Sequence, residues 1–199
     1  MDNIATTKEL TFSLQKCRLP GNVLKVDFSK AIDMVDWDFL LEMLTACVFG
    51  MHWVGGTKPI LSTSKATILV NGSQCGYVRY HRGLRQGDPL SPLFFVLVTD
   101  VFSTMFSHAL NSGILYGVPL GECRKMCNLQ YADDLLILSA GGKEDLRVVK
   151  LILLLFEGMS RLTTNFPKTC IYTTRSDQLP TSDCAKKLSC STGLIPSLI

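Results

Sequence analysis

The residues of this sequence whose types and spacing could do chemistry are Asp27, Asp133 and Asp134. Asp27 ends one apolar run, and Asp133 and Asp134 separate two others, whereas most of the 17 acidic residues occupy polar positions or predicted helix starts. An ionised carboxylate beside a core is costly unless it is paired or binds a cation. Carboxylates that meet repel each other, and a hard cation such as Mg²⁺ resolves that repulsion. A pair of such ions could activate a hydroxyl nucleophile and stabilise a leaving group.

A purely structural role explains each of these aspartates when it is considered alone. Asp is frequent in hairpin turns, so a turn accounts for the Asp133-Asp134 pair as well as a metal site does. Asp27 alone is better explained as a strand-end residue. The choice between the two readings depends on the surrounding elements and on further motifs.

Short strands are predicted around all three aspartates. Val23–Phe28 is an apolar run of the buried type around Lys25 and Asp27. Asn128–Tyr131 and Leu135–Leu138 are predicted strands joined at the Asp133-Asp134 pair, and Thr169–Thr174 is predicted as the last strand. The carboxylates are therefore expected at the ends of strands.

Helical periodicity and breakers predict the elements between these strands. We expect Asp33 to be an N-cap and the helix after it to end at Gly50, and we expect Asp88-Pro89 to open a later helix. The predicted helices cover 3–17, 35–49, 88–110 and 144–160.

A β-hairpin is predicted at Asn71-Gly72, which is a strong turn signal. Ala66–Val70 and Tyr77–Tyr80 flank this pair, and the spacing to Tyr77 indicates a longer loop. Residues 50–65 are of mixed character, and 175–199 are left without an assigned element. The order of elements predicts one α+β domain, with an antiparallel sheet backed by helices.

Composition places limits on the kind of protein. Hydrophobic residues make up 47% and charged residues 19% of the 199 residues, and the mean hydropathy is +0.24. Such a chain is expected to be an interior part of something larger, with faces that neighbouring segments cover. The net charge is +3 and no run of Lys or Arg occurs, so the charge neither supports nor excludes a nucleic-acid partner.

The cysteines and the apolar segments exclude other classes. Eight cysteines form no CxxC pair, and the Cys123/Cys127 spacing suggests half a zinc site for which no second half follows. No signal peptide is recognised, so we expect reduced thiols in an intracellular protein, nuclear or cytoplasmic. The apolar segments Leu90–Val98 and Val148–Phe156 fall short of the roughly 20 residues that span a bilayer, and we expect buried helices rather than a membrane partner.

Four ordered motifs carry a resemblance to a known family. Lys25-Val-Asp27-Phe-Ser-Lys-Ala-Ile-Asp33 resembles motif A of reverse transcriptases, and Tyr131-Ala-Asp-Asp134 is similar to their motif C. Gly83-Leu-Arg-Gln-Gly-Asp-Pro-Leu-Ser-Pro92 looks like motif B as found in non-LTR (LINE-type) retrotransposons. Asn165-Phe-Pro-Lys168 resembles motif D. Four motifs in family order make a specific signal, whereas a lone motif C would be weak.

Two further segments narrow the resemblance. Leu69-Val-Asn-Gly72 matches the stretch that LINE-type enzymes place before motif B, and Val35-Asp-Trp-Asp-Phe-Leu40 is especially similar to plant LINE-type elements. Telomerases and group II intron maturases share turns like motif C, but the Gly83–Pro92 and Val35–Leu40 segments point away from them. The resemblance covers about residues 3–175 and identifies the chain as a palm-region fragment of a LINE-type reverse transcriptase.

The resemblance implies the right-hand palm fold of polymerases and RNA-directed DNA synthesis with two Mg²⁺ ions, or Mn²⁺. RNA template, DNA primer and dNTPs would be the partners. By position in the motifs, Asp27 and Asp133 would be the main metal ligands, assisted by the Phe28 main-chain carbonyl. Asp134 would be a weaker ligand, because adjacent residues of an extended chain point apart.

Other motif positions imply contacts with nucleotide and template. Arg85, Gln86 and Gly87 match motif B positions near the templating pair and the incoming nucleotide, and glycine there lets backbone approach a ligand closely. Lys168 would donate a proton to pyrophosphate. An exposed lysine before a strand explains that residue equally well.

Ile32 departs from the family pattern, which usually has Tyr or Phe at this position of motif A. The aromatic residue stacks under the nucleotide sugar and helps to exclude a 2′-hydroxyl. Ile32 is smaller and does not stack. We therefore expect weaker sugar discrimination or poorer nucleotide binding.

The extent of the resemblance predicts the domain organisation. Residues 1–175 are expected to form a partial palm, and 176–199 the start of a truncated thumb or connection. By the same resemblance, we expect the basic fingers and the duplex-gripping thumb of the family to be missing from this chain. Such an arrangement would leave apolar surfaces exposed.

Three hypotheses follow for the function. The first is an RNA-directed DNA polymerase fragment, which alone is expected to be inactive or weak. The second is a catalytically inactive retrotransposon remnant, favoured by Ile32 and by the missing segments. The third is a nucleic-acid-binding module that reuses the palm. Retention of Asp27, Asp133 and Asp134 favours the first over the second.

Overall fold

The structure, a computed structural model, describes residues 21–47, 49–120, 124–131, 134–140, 142–173 and 180–193. Its elements are β1 (Asn22–Val26), α1 (Ala31–Met34), α2 (Trp37–Ala46), α3 (Met51–Ser62), β2 (Lys65–Val70), β3 (Ser73–Arg79), α4 (Ser91–Asn111), β4 (Val118–Leu120), β5 (Arg124–Met126), β6 (Asn128–Tyr131), β7 (Asp134–Ser139), α5 (Lys143–Ser160), β8 (Cys170–Thr173), α6 (Thr181–Leu188) and β9 (Ser191–Thr192). The helix predicted at 3–17 lies outside the described residues.

A five-stranded sheet in the order β6-β7-β1-β8-β9 forms the centre of the molecule. Its neighbouring strands are antiparallel except β8 and β9, which run parallel. The predicted α+β class is thereby confirmed, with an antiparallel sheet backed by helices. The strands predicted around the aspartates are confirmed as β1, β6, β7 and β8; the bounds of β6 are as predicted, and those of the other three differ by one or two residues.

Strand β1 is buried on both faces because successive side chains of a strand point to opposite sides. Leu24 and Val26 lie in the main core. Val23 lies on the other face, in a small cluster with Val118, Leu138 and Tyr172. Burial on both faces explains why this strand is a nearly continuous apolar run. Packing on both sides also fixes the position of the strand between the two clusters.

Helices α2, α4 and α5 cover one face of the sheet. Phe102 and Phe106 of α4 and Phe156 of α5 are completely buried, with ring centroids 4.8 Å apart for the first two and 4.9 Å for Phe102 and Phe156. By length and composition alone α4 could cross a bilayer, although the prediction considered only a shorter apolar segment of it. Buried core helices pass the same test, and eight residues of α4 are buried here.

The predictions of helix starts were partly wrong. Asp36, not Asp33, caps α2, because Phe39 N donates to the Asp36 carboxylate over 3.0 Å, and α2 ends at Ala46. Asp88 does not open α4 directly: its carboxylate accepts a hydrogen bond of 2.8 Å from Leu90 N in the turn before the helix. Helix α4 instead begins at Ser91, and Pro92 lies in its first turn.

Residues 50–65 are not mixed, since most of them form helix α3. Gly55, Gly56 and Pro59 lower helix propensity. Thr57 and Leu61 are nevertheless buried one turn apart, and packing of this kind supplies more helix stability than propensity does.

The β2–β3 hairpin has a tighter turn than predicted. Asn71 and Gly72 both have positive φ, 50° and 80°, which is the type I′ geometry of a two-residue loop. The extra residues of the predicted loop belong to β3, and the ladder accommodates them through an irregularity between Thr67 and Leu69.

Two regions contain elements that were not predicted. Strands β4 and β5 form a small hairpin before β6. Helix α6 buries Cys184, Ala185 and Leu188, and β9 adds the parallel edge strand beside β8. Lys150 Nζ on α5 donates to the Lys187 main-chain oxygen over 2.8 Å and fastens α6 to α5. The expected boundary at residue 175 between palm and thumb stays a prediction.

Candidate active site at the end of the central strands

Asp27 directly follows β1, and the main chain on both sides of it is held by the segment after α5. Asn165 N donates to the Asp27 main-chain oxygen over 2.8 Å, and Asp27 N donates to Thr169 Oγ1 over 3.4 Å. The side chain is half-buried. Its carboxylate has no hydrogen-bond or ion-pair partner within the part of the chain that the structure describes, so a half-buried negative charge is left available for a cation.

The hairpin of β6 and β7 brings the predicted motif C to the same end of the sheet. The last pair of the β1–β7 ladder is Val26 with Leu135, so Asp27 and Asp134 stand one residue beyond that pair on adjacent strands. Tyr131 pairs with Asp134 across the hairpin. Asp133 lies outside the described residues, as do the side chains of Tyr131 and Asp134.

Strand β6 is fastened to helix α4 by side-chain hydrogen bonds. Asn128 Nδ2 donates to Ser103 Oγ over 2.9 Å, and Ser103 Oγ donates to Gln130 Oε1 over 3.1 Å. Sequence reasoning missed these three residues. The only sign of their role in the sequence is that they are polar residues within apolar segments. They fix the hairpin against the helix that follows motif B.

The side chain and the main chain of Phe28 have different roles. Its ring packs edge to face on Phe102, with centroids 6.1 Å apart, and lies 6.0 Å from Phe156. Its main chain forms an isolated bridge with Thr164, yet the flanking residues Ser29 and Asn165 make the hydrogen bonds of that bridge. Within the described residues no hydrogen bond uses the Phe28 carbonyl, so this oxygen is available as a hard ligand.

The motif B loop is bonded to motif A through the main chain. Gly83 N donates to the Val35 oxygen over 2.7 Å, and Leu84 N donates to the Ile32 oxygen over 2.8 Å. Trp37 Nε1 donates to the Gly83 oxygen over 2.7 Å. The two motifs therefore form one unit, and Ile32 packs partly buried against the core beneath it.

Gly83 is required at this junction. It has φ of +78°, and a Cβ atom there would lie 2.3 Å from the Asp33 main-chain oxygen. Sequence reasoning did not single out Gly83 or Trp37, although both stand inside the quoted motifs. Their roles depend on a contact between segments that are distant in sequence.

The predicted nucleotide-side residues lie on the exposed part of this loop. Gln86 Nε2 donates to Asp33 Oδ1 over 3.0 Å, and Arg85 Nη2 donates to Ser64 Oγ over 3.3 Å. Gly87 has φ of +86° with open space around its Cα. The backbone at Gly87 is thus accessible to a ligand, as expected for close approach.

Lys168 is exposed in the turn that follows Asn165. Lys168 N donates to the Asn165 oxygen over 3.0 Å, and Asn165 itself is bonded to Asp27. The structure therefore places motif D beside motif A. The position of the Lys168 amine relative to a reacting group is not fixed by any contact among the described residues.

The donor set available here is composed of oxygens. Asp27 offers a carboxylate and Phe28 offers a carbonyl, and the sequence contains two further carboxylates shortly after β6, at Asp133 and Asp134. Oxygen donors suit Mg²⁺ or Mn²⁺. Among the described residues no three His, Cys, Asp or Glu side chains cluster as a metal site, so the fit depends on Asp133.

Zinc fits the described part of the chain poorly. Cys123 lies outside the described residues. Burial raises the pKa of the Cys127 thiol from 9.0 to about 11, and zinc binds the deprotonated thiolate. The described part of the chain offers Cys127 no metal-binding partners.

Comparison with known proteins agrees with these motifs. The family described as reverse transcriptase (RNA-dependent DNA polymerase) matches residues 3–190. An uncharacterized 149 kDa protein of transposon TX1 from Xenopus laevis is 28% identical over 69% of this chain and 10% of its own length. An uncharacterized mitochondrial protein of Arabidopsis thaliana is 43% identical over 33% of this chain and 55% of its own length.

A further relative is the Pol polyprotein of the type-1 retrotransposable element R2 from Popillia japonica. It is 33% identical over 61% of this chain, which spans 20% of that protein. The chain thus covers between a tenth and about half of the length of these relatives.

Solved structures with a similar fold include telomerases. Apo telomerase from Candida tropicalis superposes with a TM-score of 0.64 at 14% identity, covering 86% of this chain and 35% of that one. Telomerase from Candida albicans superposes with a TM-score of 0.62 at 13% identity, covering 86% and 30%. At such identities the likeness is one of fold. The match over residues 3–190 shows that the chain belongs to the reverse transcriptase family, and its similarity to proteins of transposon TX1 and of the element R2 agrees with a retrotransposon origin.

Proposed function

We propose that this chain carries the polymerising centre of a non-LTR retrotransposon reverse transcriptase, which extends a DNA primer on an RNA template by two-metal nucleotidyl transfer. The observation that supports this most is the position of Asp27 beside the β6–β7 hairpin, where its carboxylate has no partner among the described residues and the Phe28 carbonyl lies next to it in the chain. Related retrotransposon proteins and a telomerase solved with a fragment of telomeric RNA agree with nucleic acid as the substrate.

The proposed ligands of the metal ions are Asp27, Asp133, Asp134 and the Phe28 carbonyl. When bound, two divalent cations lower the pKa of the primer hydroxyl and neutralise charge on the leaving pyrophosphate. The protein holds the Asp27 and Phe28 oxygens in place through the buried strand β1 and through the bonds of Asn165 and Thr169 to Asp27.

The proposed nucleotide side of the site is the loop with Arg85, Gln86 and Gly87. The open backbone at Gly87 allows a base pair or sugar to approach. Lys168 is proposed to supply a proton to pyrophosphate, because the turn that carries it is tied to Asp27 through Asn165. In Lys168→Ala, single-nucleotide incorporation should slow while primer–template affinity is kept. An unchanged rate would contradict that role.

Primer extension on an RNA template with Mg²⁺ tests the proposal with the full chain. Asp27→Asn and Asp133→Ala should each lower incorporation by more than about a hundredfold, since even groups behind metal ligands are worth 10–100-fold. Asp100→Asn, which changes an exposed carboxylate on α4, is the matched control. Binding of Mn²⁺, followed by electron paramagnetic resonance, should weaken in the same two variants. Incorporation that survives both substitutions would refute the metal site.

Ile32 is the residue at which we expect this centre to discriminate poorly between nucleotide sugars. The side chain packs against the core and presents no aromatic ring to a sugar. We propose that Ile32→Tyr raises the preference for dNTPs over rNTPs in a nucleotide-competition assay. A strong dNTP preference that is the same in both proteins would contradict this role.

A binding function without catalysis is the second candidate. The exposed β2–β3 hairpin, which carries Lys65 and Arg79, favours it. Absence of incorporation in both the parent and the Asp133→Ala variant, together with RNA retention in a filter-binding assay, would select it. Absence of both activities would select an inactive remnant.

A further inference from the structure

Most of the sequence between α2 and α4 is free of acidic residues, and Asp88 is the exception. From Met43 to Gly87 it contains five Lys or Arg and no Asp or Glu. The whole-chain charge of +3 conceals this, because the 17 acidic residues are concentrated elsewhere. A local excess of this kind produces a positive surface even without consecutive Lys or Arg.

The β2–β3 hairpin presents part of this excess to solvent. Every residue of β3 is exposed, and so is every residue of β2 except the half-buried Ala66. The hairpin adds almost nothing to the core. Its side chains are therefore not explained by packing.

One face of the hairpin combines cations with an aromatic ring. Lys65 and Arg79 are directly paired across the two strands, and Thr67 is paired with Tyr77 on the same face. Lys65 Nζ lies 4.8 Å from the centre of the Tyr77 ring. Tyr77 is 57% exposed, so the other side of its ring is open.

The Lys65–Arg79 pair is unfavourable in the isolated protein. Like charges directly opposite on neighbouring strands destabilise a sheet. Within the described residues neither cation has a carboxylate partner, and the next cation in sequence, Arg82, has none either. An external anion that spans several of these groups would remove the repulsion.

This face is connected to the proposed nucleotide side of the site. Tyr80 N donates to the Ser64 oxygen over 3.0 Å, and Arg85 Nη2 donates to Ser64 Oγ over 3.3 Å. The base of the hairpin is thus fixed beside the loop that carries Gln86 and Gly87. A strand bound along the hairpin can continue into that loop.

We propose that this face, formed by Lys65, Tyr77 and Arg79, together with the exposed Arg82 in the loop after β3, binds the single-stranded RNA template on its way to the site. The choice of RNA as the strand rests on the proposed function. A cation row fits a phosphate backbone, and an exposed ring among the cations fits an unpaired base, which stacks on aromatic side chains regardless of sequence. An acidic protein segment would satisfy the cations but would leave the ring without a specific partner.

The test is a fluorescence-anisotropy titration of a short labelled single-stranded RNA against the full chain, with EDTA and without nucleotides, at several salt concentrations. The triple variant Lys65→Gln, Arg79→Gln, Arg82→Gln is compared with Lys125→Gln, Lys143→Gln, Lys186→Gln, which removes three exposed or solvent-facing cations elsewhere and has the same net charge. Thermal unfolding establishes that both variants are folded.

The hairpin variant should bind RNA about tenfold or more weakly than the control, and its slope of log affinity against log salt should fall by about 2, because each phosphate contact on a single strand contributes about 0.7 to the slope. Tyr77→Ser should weaken binding by about fivefold or more with no change in slope, since stacking is not a counterion effect. Equal affinity of the two triple variants overturns the proposal. Tighter binding of duplex RNA or of a polyglutamate peptide also overturns it.

Primer extension by the same variants separates this inference from the proposed function. If Asp27→Asn abolishes incorporation while both triple variants bind RNA equally, the polymerase proposal stands and the hairpin proposal fails. If no protein incorporates nucleotides but the hairpin variant still loses RNA affinity relative to its control, the hairpin proposal stands and the polymerase proposal fails.

Discussion

The central sheet and the β2–β3 hairpin are built from similar antiparallel ladders but are stabilised differently. Strand β1 is buried on both faces between the main core and a smaller cluster, and helices fix where it ends. The hairpin is exposed on both faces and is held by its own ladder and its tight turn. In the sheet, packing determines which side chains are tolerated. In the hairpin, packing places few limits on the side chains. An unfavourable pair of cations such as Lys65 and Arg79 therefore indicates a role other than stabilising the fold.

The largest effect on stability is expected from truncating the ring that joins the helices beneath the sheet. Phe156 is completely buried and contacts the rings of Phe28, Phe39 and Phe102. Phe156→Ala should lower the free energy of unfolding by about 3–5 kcal/mol, as measured by urea denaturation. Leu154→Ala, on the exposed side of the same helix, should stay within about 0.5 kcal/mol. Similar losses in both variants would contradict the assignment of the buried face.

A smaller but still large effect is expected at the junction of motifs A and B. In Gly83→Ala the new methyl group would meet the Asp33 main chain, so the loop must shift and lose its bonds to Ile32 and Val35. We expect a loss of several kcal/mol, about 2 or more, in urea denaturation. Gly87→Ala has a similar φ but open space, so it should cost only about 1–2 kcal/mol. A larger loss for Gly87→Ala would refute the close contact.

Alkaline pH should destabilise the sheet region through Cys127. Burial raises the pKa of this thiol from 9.0 to about 11, so the folded state favours the protonated form. The resulting stability is fully present below pH 9 and is lost as pH rises through about 11. Between these values the parent should lose about 2 kcal/mol more than Cys127→Ala, because a shift of one unit is worth about 1.4 kcal/mol. Identical pH dependence of unfolding in the two proteins would exclude this contribution.

The smallest effect is expected in the hairpin. Ile68→Thr and Val78→Thr replace residues that are 48% and 54% exposed, and each should change the free energy of unfolding by less than about 0.5 kcal/mol. Amide hydrogens of the hairpin should exchange faster than those of β1, because few buried contacts resist local opening. A loss comparable to that of a core substitution would show that the hairpin packs against another surface.

Local patterns in the sequence were sufficient to predict much of the sheet. The apolar runs at Val23–Phe28 and Leu135–Leu138, and the wide apolar face of Glu144–Ser160, predicted elements that the structure confirms. Helix α3 could not be predicted, because its glycines and Pro59 oppose a helix locally and only the burial of Thr57 and Leu61 compensates. The cap at Asp36 was assigned three residues too early for a similar reason, since both aspartates are acceptable caps by type.

The residues of the candidate site could be predicted from the sequence, but the contacts that hold them in place could not. Asp27 was named from its position at a strand end, and the register with β7 places it beside the motif C hairpin. The bonds from Asn165 and Thr169 to Asp27, and the contact of Gly83 with Asp33, join segments far apart in sequence and have no local signal. The absence of acidic residues from Met43 to Gly87 was readable in the sequence, but a search for consecutive Lys and Arg does not reveal it.

The exposed ladder of β2 and β3 also has consequences for self-association. Both outer edges of a two-stranded sheet carry unpaired N–H and C=O groups, and the run Ile68-Leu69-Val70 is apolar and exposed. Such an edge is a template for pairing with a second copy of the same strand. Lys65, which lies three residues before this run, and its cross-strand partner Arg79 are at the base of the hairpin and act as gatekeepers, because edge-to-edge contact between two copies would bring their charges together. The cations proposed to hold RNA would thus also keep the protein dispersed when no RNA is bound.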